Sequence, residues 1–170
     1  MELSIHEAAK RLGETFPYAW RGQLAEETYG GRVICFLDEG TLEGTVTGDK
    51  EGFTVTGDAR VTLDSVCARC NEPFREPFAF SFEERFVRAG FQSEEEEAYP
   101  FEGEVIDLQQ AFLDNLFLHL PMVSLCRPDC KGLCPVCGVN LNRFRCNCAE
   151  KTRNSAFDAL KALSFEDKEV

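Results

Sequence analysis

The stretch Cys126-Arg-Pro-Asp-Cys130-Lys-Gly-Leu-Cys134-Pro-Val-Cys137-Gly138, followed shortly by Cys146-Asn-Cys148, contains six of the nine cysteines of the chain. In Cys134-Pro-Val-Cys137-Gly138, two thiols three residues apart can hold one metal ion from a tight turn. The proline fixes φ, and the glycine admits close backbone approach. Cys146 and Cys148 follow closely enough to supply two more sulfur ligands. The spacing therefore predicts a small zinc-binding ribbon.

Eight cysteines form four pairs at ligand spacing, and tetrahedral zinc needs four ligands. The preferred assignment has two sites, one with Cys134, Cys137, Cys146 and Cys148, the other with Cys67, Cys70, Cys126 and Cys130. A competing assignment has one zinc ion, held by Cys134 and Cys137 and two sulfurs from Cys126, Cys130, Cys146 and Cys148. The spacing does not decide between one ion and two. The ninth cysteine, Cys35, has no partner at ligand spacing and is expected to be structural.

Length and composition indicate a folded protein with a core of its own. The chain has 170 residues, of which 44% are hydrophobic and 15 are phenylalanine. No apolar run approaches the ~20 residues of a membrane span, and residues 1–7 lack the features of a secretory signal. We therefore expect a cytoplasmic protein without a membrane partner. In that compartment, clustered cysteines indicate metal binding more than disulfides.

Charge is distributed unevenly along the chain. The net charge is −12, yet residues 126–153 carry six basic and two acidic residues, so that this part is +4 and the remainder −16. The stretch Glu94–Glu97 is expected to be a solvated acidic loop. The candidate contacts to a phosphate backbone are Arg127, Lys131, Arg143 and Arg145. An acidic body that carries a basic ribbon predicts RNA or a basic protein as a partner.

The remainder of the chain predicts an α+β fold. The repeat Thr45-Val-Thr-Gly-Asp49 and Thr54-Val-Thr-Gly-Asp58 is typical of consecutive antiparallel strands, and the apolar run 33–37 predicts a buried strand. Asp107 and Gln110 have the spacing of a capping box, which predicts a long, largely buried helix from Asp107 to Pro121.

We thus expect an antiparallel sheet or partly open barrel packed by one long helix. The predicted domains are a β body over residues 1–125, a cysteine-rich zinc-binding ribbon over 126–153, and a short terminal helix with a tail over 154–170.

Catalysis fits the sequence poorly. A zinc ion held by four cysteines has no open coordination position for water. The chain has only two histidines, so few residues could serve as the base that activates a cysteine or serine nucleophile. We expect neither an enzyme nor a small-molecule substrate.

The cysteine motifs also carry a resemblance. The steps Cys67-Ala-Arg-Cys70-Asn, Leu125-Cys126, Asp129-Cys130-Lys-Gly-Leu-Cys134-Pro-Val-Cys137-Gly-Val-Asn-Leu-Asn142 and Cys146-Asn-Cys148 closely resemble the YceD family, over roughly residues 15–165. This resemblance implies a role in the accumulation of large-subunit ribosomal RNA, as a maturation or stabilisation factor that contacts that RNA or a basic ribosomal protein. It implies no catalytic residue in this chain.

Three hypotheses follow. The first is a ribosome-biogenesis accessory factor whose metal orders the ribbon, so that Arg127, Lys131, Arg143 and Arg145 contact phosphates. The second is a redox-switched chaperone that releases zinc on oxidation. The third is an interaction module in which zinc is only structural and the acidic face is the functional surface.

Overall fold

Two long antiparallel strands form the centre of the computed structural model, which describes residues 1–90 and 98–148. The strands are β1 (Glu2–Ser4), β2 (Thr15–Gly22), β3 (Glu27–Tyr29), β4 (Arg32–Ile34), β5 (Gly40–Gly48), β6 (Gly52–Val66), β7 (Pro73–Arg88), β8 (Tyr99–Phe101) and β9 (Val105–Asp107). The helices are α1 (His6–Lys10) and α2 (Gln109–His119).

The main sheet has five strands in the order β2-β5-β6-β7-β8 and is open. All its pairs are antiparallel except β7 and β8, which run parallel. Two small antiparallel ribbons, β1 with β9 and β3 with β4, complete the described strands. The predicted antiparallel sheet is confirmed in its open form.

The repeated Thr-Val-Thr-Gly-Asp segments lie beside each other, as predicted. Thr45 is opposite Thr56 and Thr47 is opposite Thr54 across β5 and β6. At the intervening turn, the Asp49 carboxylate accepts hydrogen bonds from the backbone N–H groups of Glu51 and Gly52, at 2.8 and 3.0 Å. An aspartate that bonds its own turn in this way favours a tight hairpin.

The core lies on one face of the sheet, because residues alternate between its two faces. The inward residues of the central strands, such as Leu42, Val55 and Phe80, are buried. Helix α2 covers this face, with its Phe112 ring 5.4 Å from the ring of Phe80. The other face of the sheet carries mainly threonine and charged residues.

The predicted long helix is wrong in length and in its start. Asp107 ends β9 instead of beginning the helix, because β1 pairs with β9 and holds Asp107 opposite Glu2 in an extended conformation. The capping box is absent: the Asp107 carboxylate accepts from the N–H of Gln109, and the Gln110 amide donates to Asp114. Helix α2 has 11 residues and ends at His119, two residues before Pro121.

The apolar run 33–37 is also not the buried strand that was predicted. Strand β4 covers only Arg32–Ile34 and pairs with β3 instead of joining the main sheet. Val33 is 61% exposed and Leu37 is 38% exposed. The apolar pattern of residues 33–37 did not show that β4 would pair only with β3, in a two-stranded ribbon that leaves one face uncovered.

Some predictions fall outside the described residues. These are the acidic loop at Glu94–Glu97, the last part of the ribbon from residue 149, and the helix and tail over 154–170. Neither helix in the described ranges is long and apolar enough to cross a membrane.

Candidate metal centres

The two Cys-x-x-Cys steps fold into the same turn. In Cys67-Ala-Arg-Cys70-Asn71, the N–H of Asn71 donates to the carbonyl oxygen of Cys67 at 2.8 Å, and φ of Asn71 is 55°. In Cys134-Pro-Val-Cys137-Gly138, the N–H of Gly138 donates to the carbonyl oxygen of Cys134 at 2.9 Å, and φ of Gly138 is 73°. Glycine and asparagine are the residues that most readily adopt this left-handed conformation. Each turn brings its two thiols to the same side.

The first centre joins Cys67 and Cys70, just beyond the end of β6, to Cys126 and Cys130. Its four Sγ atoms all lie within 4.8 Å of one another. The Cys67–Cys130 and Cys70–Cys126 sulfur separations are both 3.8 Å. A tetrahedron of sulfurs at about 2.3 Å from a central zinc ion has edges of about 3.8 Å. The spacing therefore fits one tetrahedral ion, and it is far too long for a disulfide.

Backbone contacts fasten the cysteine segment, defined as residues 126–148, to the end of the sheet. The N–H of Ala68 donates to the carbonyl oxygen of Ser124 at 2.9 Å, and the N–H of Leu133 donates to that of Arg69 at 3.1 Å. The Arg69 guanidinium donates to the carbonyl oxygen of Cys130 at 3.0 Å. Cys67, Cys70 and Cys130 are buried as a result.

Asn142 organises the loop around the first centre. Its Nδ2 donates to the Sγ of Cys130 at 3.3 Å. Its Oδ1 accepts hydrogen bonds from the backbone N–H of Lys131 and from the Arg127 guanidinium, both at 2.8 Å. One amide thus orients a thiol and two neighbouring residues, the role that hydrogen-bonding partners play around metal ligands.

The second centre contains Cys134, Cys137, Cys146 and Cys148, again with all four sulfurs within 4.8 Å of one another. It is more open than the first: Cys134 is buried, Cys146 is half-buried, and Cys137 and Cys148 are exposed. The N–H of Val136 donates to the Sγ of Cys134 at 3.4 Å. A short antiparallel bridge between Leu133 and Asn140 closes the turn that carries Cys134 and Cys137.

The thiols of each centre have opposed tendencies to ionise. Hydrogen bonds from the backbone N–H groups of Cys126 and then Cys70 lower the pKa of Cys67, and those of Cys137 and Val136 lower the pKa of Cys134. Burial, followed by the neighbouring thiols, raises the pKa of Cys126, and the Cys137 sulfur raises the pKa of Cys148. Four thiolates so close together repel one another, so that a bound divalent cation would stabilise the fully ionised set.

The donor sets fit zinc, because four cysteine sulfurs at tetrahedral spacing are a structural zinc site. The eight thiols lie in the two quartets of the preferred assignment. Both four-cysteine clusters could therefore hold metal ions; that they bind metal, and that the metal is zinc, remain predictions. When bound, zinc would fix the fold of the segment and leave no coordination position for a substrate.

The four predicted contact residues, Arg127, Lys131, Arg143 and Arg145, are all exposed on the cysteine segment. Two of them are engaged within the chain. Arg127 pairs with Asp129 at 3.4 Å, and Arg143 pairs with Glu72 at 3.0 Å. The side chains of Lys131 and Arg145 make no ion pair with any residue in the described ranges. Their role as contacts to a partner remains a prediction.

Three residues of the site were missed at the sequence level: Arg69, Glu72 and Asn142. Arg69 and Glu72 lie within two residues of Cys70. Their position beside a Cys-x-x-Cys step could have predicted that they belong to the site. Asn142 belongs to the stretch that carries the family resemblance, but spacing did not predict its role, because it is four residues from its nearest cysteine and contacts Cys130 only in the folded loop.

Several known proteins are similar to parts of this chain. An uncharacterized protein of Mycobacterium tuberculosis is 36% identical over 118 residues, which are 65% of this chain and 57% of that protein. The chain thus spans little more than half the length of the mycobacterial relatives it matches. A chloroplastic protein of Arabidopsis thaliana named large ribosomal RNA subunit accumulation protein YCED homolog 1 is 31% identical over 65 residues, 38% of this chain and 20% of that protein. Its Zea mays counterpart is 38% identical over 56 residues, 33% of this chain and 19% of that protein.

No solved structure matches the chain significantly. The family model described as large ribosomal RNA subunit accumulation protein YceD matches residues 55–164, which include all eight clustered cysteines and the four predicted contact residues. Because this match covers more than half of the chain, the chain belongs to the YceD family.

Proposed function

We propose that the protein is a non-catalytic accessory factor in the assembly of the large ribosomal subunit, and that it acts in the cytoplasm to promote accumulation of the large ribosomal RNA. The observation that carries this proposal is the family match over residues 55–164, the part of the chain that holds both cysteine quartets.

In this proposal, zinc shapes the cysteine segment and takes no part in chemistry. The segment contains few large apolar side chains, and Phe144 is 62% exposed. Burial of apolar surface therefore contributes little to its folding. A structural zinc ion contributes on the order of 10–16 kcal/mol in small peptide sites. Two zinc ions, one in each quartet, stabilise the segment, and the ion of the first centre also holds it against the sheet.

The cysteine segment is the contact for RNA. Lys131 and Arg145 carry positive charge without an ion-pair partner among the described residues, and Arg127 and Arg143 add to the local field although they are paired. Basic side chains on a rigid scaffold bind phosphates mainly by releasing condensed counterions. The acidic sheet repels RNA, so the RNA contacts are confined to this segment.

Depletion in the native host tests the proposal. We expect the ratio of large- to small-subunit ribosomal RNA to fall on depletion and to recover when the wild-type gene is supplied. A Cys35→Ser variant is the matched control and should restore the ratio, since Cys35 belongs to neither quartet. Cys134→Ser should fail to restore it. An unchanged ratio on depletion would reject the proposed function.

A further inference from the structure

An apolar groove lies on the core side of the sheet, beyond the end of α2, and its lining includes Ser65 and Ser124, each two residues before a cysteine of the first centre. Its volume is about 350 Å³, and its wall and floor include Tyr29, Val33, Leu63, Phe117 and Met122. This volume is near the lower end of the range for ligand pockets, roughly 300–1,000 Å³, and accommodates a few side chains of a partner.

Three apolar side chains that line the groove are exposed. Met122 is 95% exposed, Val33 is 61% exposed and Tyr29 is 49% exposed. The groove is also preformed, because the Tyr29 ring stacks on the Phe117 ring with centroids 4.2 Å apart and planes 10° apart. Exposed apolar side chains grouped around one groove are a candidate contact surface for a partner.

One carboxylate interrupts the apolar face at the floor of the groove. Glu76 is paired with Leu63 in register, so it points to the same face of β7 as Phe74 and Phe78. Glu84, a second acid on this face, accepts a hydrogen bond from the Asn115 amide. Glu76 is half-buried and makes no hydrogen bond or ion pair with any described residue.

The charge around the groove selects a cationic occupant. Asp64 is at the edge of the groove, in register with Arg75 on the opposite face of the sheet from Glu76, and makes no ion pair with the described part of the chain. The chain as a whole has a net charge of −12. A half-buried carboxylate gains most from a lysine or arginine, which supplies both charge and hydrogen bonds. An RNA phosphate would be repelled, and so would the identical acidic groove of a second copy.

We propose that this groove binds a segment of a basic protein, in which a large apolar side chain fills the space between Val33 and Met122 and an adjacent lysine or arginine pairs with Glu76. Only the identification of that protein as a large-subunit ribosomal protein rests on the proposed function. The recognition chemistry itself, apolar contact plus one buried ion pair, depends on the groove alone.

Peptide binding to the full-length, metal-loaded protein tests this proposal. The probes are overlapping 15-residue peptides from all large-subunit ribosomal proteins of the same organism, with an equal number of peptides of matched charge from unrelated basic proteins. We expect binding by peptides in which a large apolar residue adjoins lysine or arginine. Glu76→Gln should weaken that binding about ten-fold or more, and Met122→Ser about five-fold or more.

Two matched control variants are available, one on β7 and one outside the groove. Glu83→Gln removes an exposed carboxylate from the opposite face of β7, and Leu12→Ser removes an apolar side chain that is 52% exposed outside the groove. Both should bind the selected peptides with unchanged affinity. Because Glu76→Gln keeps the shape of the side chain and Met122 is almost fully exposed, all four variants should melt within about 2 °C of wild type.

The outcomes separate the proposals. Binding that is confined to apolar-basic peptides and is weakened by Glu76→Gln supports the groove proposal, even if those peptides come from the unrelated basic proteins. Binding only by peptides from the unrelated basic proteins would count against the identification of the partner as a ribosomal protein. Absence of peptide binding would overturn the groove proposal. So would stronger binding of ribosomal RNA to Glu76→Gln, or a dimer in solution that Met122→Ser dissociates.

Discussion

The Sγ atoms of Cys67 and Cys130 lie 3.8 Å apart, although 63 positions separate the two residues along the chain. Cys67 directly follows the last residue of β6, and Cys130 lies in the middle of the first loop of the cysteine segment. The first centre is therefore a link between the sheet and the segment, whereas the second centre closes only the segment on itself. Loss of the two centres should have different consequences.

Metal content gives the most direct prediction. We expect two zinc ions per chain in freshly purified protein, measured by elemental analysis together with a count of free thiols. Cys134→Ser should reduce the content to about one ion, because three sulfurs hold zinc far more weakly than four. Cys35→Ser should keep both ions. Absence of stoichiometric metal, with all nine thiols free, contradicts the assignment of both quartets.

Chelation should unfold the cysteine segment and leave the sheet intact. We expect amide protection over residues 126–148 to disappear in metal-free protein, while β6 and β7 keep theirs, since the sheet has its own apolar core. Hydrogen exchange before and after treatment with a zinc chelator measures this. Protection that persists across the segment without metal would show that packing alone orders it.

Asn142 should control the lifetime of the metal in the first centre. Replacement by alanine removes the hydrogen bond to Cys130 and leaves the Lys131 N–H without its partner. We expect one of the two ions to dissociate about 10–100-fold faster in the Asn142→Ala variant, as followed by transfer to a colorimetric chelator. Asn147→Ala is the control, because Asn147 is exposed between two cysteines of the second centre. Equal release rates in the two variants would exclude this role of Asn142.

Binding to large-subunit ribosomal RNA should depend steeply on salt. Each phosphate contact contributes a slope of about −0.7 to −0.9 in log K against log salt concentration. We expect the combined change Lys131→Ala and Arg145→Ala to reduce the magnitude of the slope by about 1.5. Arg60→Ala, a change on the exposed face of the sheet, should leave the slope unaltered. A slope that is the same in all three proteins rejects these two residues as phosphate contacts.

The hairpin between β5 and β6 should lose stability in acid. The Arg85 guanidinium, which donates to both carboxylate oxygens of Asp49 at 2.7 Å, holds the pKa of Asp49 well below its usual value of 3.8. Because the pKa of Asp49 is lower in the folded state, the stability that its ionised carboxylate contributes is fully present above about pH 4 and is lost as the pH falls below it.

The magnitude of this effect is small, since Asp49 is about half exposed and solvent screens the pair. We expect about 1 kcal/mol. Asp49→Asn should destabilise the protein by about that amount at pH 7 and by less at pH 3, measured by thermal melting at each pH. Glu102→Gln, at an exposed position, should not show a loss of stability that is larger at pH 7 than at pH 3. An equal loss at both pH values would mean that ionisation of the Asp49 carboxylate contributes no stability.

Several features of the fold followed from local patterns. The two Thr-Val-Thr-Gly-Asp segments predicted neighbouring antiparallel strands, and these segments pair across β5 and β6. The four cysteine pairs were also accessible, because ligand spacing is a local property of a turn, whereas spacing did not decide how the pairs combine into centres. In each case the physical cause acts over a few residues, so the sequence contains it directly.

The features that the sequence did not predict depend on pairing between distant segments. Asp107 was expected to begin a helix, yet pairing of β1 with β9 keeps it extended, and no local signal reports that pairing. Val33 was expected to be buried, yet β4 pairs only with β3 and leaves it 61% exposed.

Sequence by itself therefore determined the hairpin of β5 and β6, the two Cys-x-x-Cys turns and the family of this protein, because these rest on short-range patterns and spacing. Tertiary structure alone decided which surface stays open. The groove exists because Tyr29 of one ribbon stacks on Phe117 of α2, and because β7 places Glu76 beneath them on an apolar face. Side chains that meet across such distances in the chain are brought together only by the burial of the common core.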